Sequence, residues 1–145
     1  MDDLTILNEI HKGVTMGMAS IETLSEKVGD PNFKENLSYQ YNRYRDTLDK
    51  INSKFEEFGE IPDDTPINQK IMGWSGIQLN TLTNKSNSQI SEILIQGNDM
   101  GIIKAVKLLN QNPQASNDTK NILNIKSIPL QFQIKFVILR HQNQY

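Results

Sequence analysis

The chain of 145 residues contains no cysteine, which excludes disulfides, thiolate metal sites and cysteine nucleophiles. Its only histidines are His11 and His141, so no Ser/His/Asp arrangement can be read from it. No apolar run approaches the roughly 18–20 residues needed to cross a bilayer. There is no Gly-rich phosphate loop, and Asp63-Asp64 lacks the ligand spacing of a calcium loop. The opening MDDLTILNEIHKG has neither a basic segment nor a long apolar run, as a secretory signal would require. These absences predict a soluble, intracellular, cytoplasmic protein. A formal net charge of −2 makes no case for nucleic acid. Acids are also missing from one end. None follows Asp118, so residues 1–118 carry a net −6 and residues 119–145 a net +4.

What is present is helical periodicity. Ser88–Asn110 is the most apolar long stretch. Ile90, Ile93, Gly97, Gly101, Ala105 and Leu108 recur there every three or four residues, which puts them on one helix face. Leu94, Met100, Ile102 and Val106 widen that face, and Glu92, Gln96, Lys104 and Lys107 fall mostly off it. A first helix is predicted from about Asp3 to Val28, capped by Asp2 or Asp3. Its stripe is Leu4, Leu7, His11, Val14, Met18, Ile21 and Val28, with Ile10 and Leu24 alongside. Gly29-Asp30-Pro31 ends it and starts a second, from about Pro31 to Phe58. The second stripe is Phe33, Leu37, Tyr41, Tyr44, Leu48, Ile51, Phe55 and Phe58. A short turn between two such helices makes an antiparallel hairpin.

Beyond Gly59 the text is less regular. EIPDDTP is a loop. A weaker helical pattern from about Ile67 to Leu82 reads as a short crossover, with a break or kink at residues 83–88. Left unbroken, it would give a helix about 65 Å long beside partners of about 40 Å. A further short helix should start at Asn117, with Ile122, Leu123 and Ile125 apolar. Pro129 would break a helix interior, and Leu130, Phe132, Ile134, Phe136 and Ile138 then alternate with a strand period. The 127–145 tail is therefore a helix whose packing overrides the pattern, an edge strand that pairs with another copy, or a departure from an ancestral helix. The predicted fold is all-α, a four-helix-type bundle of one domain with a short extra crossover helix. With a crossover, the helix directions run up-down-down-up.

Glu92–Asn110, with Leu7-Asn-Glu-Ile-His11 and Met16-Gly-Met-Ala-Ser-Ile21, resembles a group of small proteins of low-GC bacteria, of unknown activity, with a ferritin-like helical bundle. The resemblance spans roughly residues 4–125 and implies a ferritin-like arrangement. Abundant Asn and Ile fit such a bacterial source. The same helix is distantly similar to a bacterial domain carrying Met-Ile-x-His-His. Here the His-His position reads Gly97-Asn98, so that domain's metal role does not carry over. Such proteins end in an acidic, Lys-rich amphipathic helix, and Ser127–Tyr145 departs from that.

Candidate sites stand beside plainer readings. A di-iron centre needs Glu-x-x-His pairs, and there are none. His11 lies on the apolar stripe. It reads as a core-edge imidazole bonded to a polar neighbour, or as a lone ligand in a reduced metal or redox site with Glu92 or Tyr41. Tyr39, Tyr41 and Tyr44 with Arg43 and Arg45 could form a nucleic-acid surface. Tyr41 and Tyr44 are on the core stripe, however, and Asp46 and Asp49 follow. The methionines read as gap-fillers, and Glu22 and Glu26 as a solvated face. Gly97 and Gly101 permit close helix approach, inside the bundle, as a pocket, or at a dimer seam. The expected function is non-enzymatic association without a cofactor, as a homodimer. Its candidate contact surfaces are Gly97, Gly101 and the apolar tail with Phe132, Ile134 and Phe136, a row that would be an aggregation liability if left uncovered.

Overall fold

A computed structural model describes residues 2–63 and 87–123. All regular structure among them is α-helix, with no strand: α1 (Asp3–Ser25), α2 (Pro31–Glu57), α3 (Asn87–Gln111) and α4 (Asn117–Ile122). None of these helices is long and apolar enough to cross a membrane. The expected crossover at Ile67–Leu82, residues 83–86 of the expected break, and the tail with Phe132, Ile134 and Phe136 lie outside the described residues.

The caps place the helix ends. Asp2 accepts the Thr5 amide at 2.8 Å and starts α1. Asp30 accepts the amides of Asn32 and Phe33 ahead of Pro31 and starts α2. Helix α1 stops at Ser25, short of the expected Val28. Tight bonds from the Lys27 amide to Leu24 O and from the Val28 amide to Ser25 O close its end. Val28 stays buried, so the apolar stripe outlasts the helix. Gly59 ends α2 at φ 67°, where the Glu60 amide reaches back to Phe55 O in a Schellman closure. Asn112 Nδ2 donates to Leu108 O and caps α3. The Ser116 side chain accepts the Thr119 amide and starts α4.

Three apolar clusters hold the helices together. At one end Ile21, Leu24 and Val28 of the α1 stripe meet Phe33 and Leu37 of α2, and Ile90, Ile93 and Leu94 of α3. At the other, Leu7 and Val14 pack with Ile51, Phe55 and Ile122. Ile6 packs there with Ala105, Leu108, Ala115 and Leu123. The start of α1 thus meets the ends of both α2 and α3. Helix α1 is antiparallel to both, while α2 and α3 run in the same direction. This matches the first three directions of the expected order.

Phe33 and Phe55 are fully buried, and each burial stabilises by about 2–3 kcal/mol. Replacing either with alanine should cost about 3–5 kcal/mol. Among the buried residues outside the expected stripes are Ile6 and Gln40. Ile6 faces α3 rather than α2, and Gln40 is tied to Tyr44 by a side-chain hydrogen bond. Phe58, expected on the stripe, is about half exposed, because α2 ends at Glu57 and Phe58 is its cap.

Candidate functional site

The register of α1 against α3 decides which candidate residues meet. Glu9 Oε2 and Lys104 Nζ pair at 2.9 Å, and Glu9 also meets Lys12. The Lys104 ammonium is the chief cause that holds the Glu9 carboxyl below the usual carboxylate range. From this rung α1 and α3 run in opposite directions. His11 is two residues from Glu9 and therefore level with about residue 102. Glu92 is ten residues further along α3, about 15 Å away at 1.5 Å per residue. The antiparallel register therefore separates the expected pair of His11 and Glu92. Glu92 is exposed. Tyr41 does not turn to His11 either: its hydroxyl donates to Glu22 Oε1 at 2.8 Å, which raises its pKa. Glu22 is exposed, as expected, but it carries this bond.

His11 is half-buried, and burial holds its pKa below the ordinary histidine value. Its neighbours on the same side of α1 are Leu7 and Val14, both buried. Its backbone carbonyl accepts the Thr15 hydroxyl at 2.8 Å. The imidazole itself has no hydrogen-bond partner among the described residues. Among the described residues no group of three or more His, Asp or Glu could hold a metal.

The basic-aromatic segment of α2 is likewise dispersed. Arg43, Asp46, Thr47, Asp49 and Lys50 line a shallow groove on one helix, with both charge signs interleaved. Arg45 Nη2 donates to Asn42 Oδ1. Tyr44 turns inward, its pKa raised by burial, with its ring against α1. No cationic stripe of the kind that tracks a phosphate backbone is assembled here.

The glycines behave differently from the expected close packing. Leu94, Gly101 and Leu108 are seven apart, so they share a side of α3, and Leu94 and Leu108 are both buried. Ile6, Gly13 and Ser20 share a side of α1 in the same way, and Ile6 and Ser20 are buried. Gly13 lies one turn beyond Glu9 and Gly101 one turn before Lys104. The two glycines therefore stand at the same level on the facing sides of the antiparallel pair. Both are exposed, and among the described residues a Cβ added at either would meet nothing within 4 Å. Gly101 thus keeps the phase of the buried face without touching another helix among the described residues, which is the open arrangement of the pocket or seam alternatives rather than tight packing.

One turn further along α1, the seam is filled. The Tyr44 ring lies 3.4 Å from where a Cβ on Gly17 would stand. Gly97, level with Gly17, is half-buried. Among the described residues α3 is therefore fastened to α1 by apolar clusters at its two ends and by the Glu9–Lys104 ion pair beside the Ile6 and Ala105 cluster. Between the ion pair and the Ile21 end, the described residues leave an open slot at Gly13 and Gly101. Gly13 was not singled out in the sequence, although Gly13 and Gly17 repeat the four-residue spacing of Gly97 and Gly101. That repeat, read with the hairpin register, is the signal that finds it. Ile103, about half exposed, points to the opposite side of α3, among Glu92, Gln96 and Lys107.

The tip of α1 is tied to the turn before α4. The Ser116 amide donates to the Asp3 carboxylate, which lowers its pKa. Lys54 bridges Asp118 and Glu57, which push its pKa up to about 12. The Asp63 amide donates to Asn8 Oδ1 at 2.8 Å. These contacts fix α4 and the loop after α2, and they assemble no reactive group. Comparison with protein-family models, curated proteins and solved structures finds no match to this chain.

Proposed function

We propose that the protein is a non-enzymatic helical bundle of ferritin-like, four-helix arrangement that acts in the cytoplasm by association with a second copy of itself. The supporting observation is the open slot at Gly13 and Gly101. A glycine inside a helix costs about 1 kcal/mol relative to alanine. Tight packing accounts for such a cost where a neighbour presses on the backbone, as Tyr44 does at Gly17. At Gly13 and Gly101 no neighbour among the described residues does so. Both positions lie on sides of their helices that are otherwise buried, so the space is suited to an apolar side chain from outside. The apolar row Phe132, Ile134 and Phe136, which lies outside the described residues, is the other contact surface of this reading.

Sedimentation over a range of concentrations tests this reading. The full chain should be a dimer, and a chain ending at Lys126 a folded monomer. A full chain that stays monomeric at high concentration contradicts the proposal. So does a dimer that survives both the truncation and Gly101→Leu.

A further inference from the structure

We draw no further inference here: the strongest candidate, the exposed apolar patch of Phe58 and Ile61 just beyond α2, carries nothing because nothing in the structure shows what covers it.

Discussion

Glu9 and Lys104 meet at 2.9 Å across the seam between α1 and α3, and one turn inward from each stands a glycine that touches no other helix among the described residues. The ion pair marks the level of the two helices, which the apolar clusters at their ends hold. The Glu9 side chain is about one quarter exposed and that of Lys104 about one half. Such a pair contributes about 0–1 kcal/mol. Its structural consequence is larger than its energy, because the same register places Gly13 opposite Gly101.

Alanine at Gly13 or Gly101 should stabilise the isolated chain by up to about 1 kcal/mol, since the helix gains propensity and the methyl enters open space. Gly17→Ala should gain less, because its methyl would stand 3.4 Å from the Tyr44 ring. Urea unfolding of dilute protein measures all three. Destabilisation by Gly13→Ala or Gly101→Ala would mean that the slot is filled.

Stability should fall as pH drops from about 7.5 to 5.5, a window above ordinary carboxylate titration. Burial lowers the folded-state pKa of His11, so the unfolded chain binds more protons in this range. The contribution is fully present above the unfolded value of about 6.5 and is lost as pH falls through the folded one. Urea midpoints at the two ends of the window should differ for the wild type and flatten for His11→Gln. An unchanged slope in the variant would assign the effect elsewhere.

Asp30→Ala should cost about 1 kcal/mol, because two amides at the start of α2 lose their acceptor. The urea midpoint reads this directly. Asp30→Asn should restore most of the loss, which separates capping from charge.

Lys54→Met should loosen α4 without unfolding α2. Lys54 is the bridge from α2 to Asp118, and its own helix retains Ile51 and Phe55 in the core. Hydrogen exchange should quicken at the amides of residues 119–123 and stay unchanged in the middle of α2. Uniform protection in the variant would show that Thr119, Ile122 and Leu123, all buried, hold α4 alone.

The helices were legible because their signals are local. Asp30-Pro31 and Gly59 mark ends by capping chemistry, and the stripe from Phe33 to Phe55 marks a face by its period. Ile6 was missed because a single stripe describes one neighbour, and α1 has two. The pairing of His11 with Glu92 failed because it depended on register, which arises between helices and is written in neither. Gly101 shows the same limit. Its phase tells which side of α3 it occupies, but how near α1 comes is decided by the clusters at the two ends.

The most direct measurement is the solution mass of the wild type beside Gly101→Leu, each checked for helix content by circular dichroism. The expected result is a wild-type dimer and a fully helical Gly101→Leu monomer, because the leucine fills the slot that the second copy needs. A wild-type monomer at high concentration, or a Gly101→Leu dimer as tight as the wild type, would contradict association through the seam between α1 and α3.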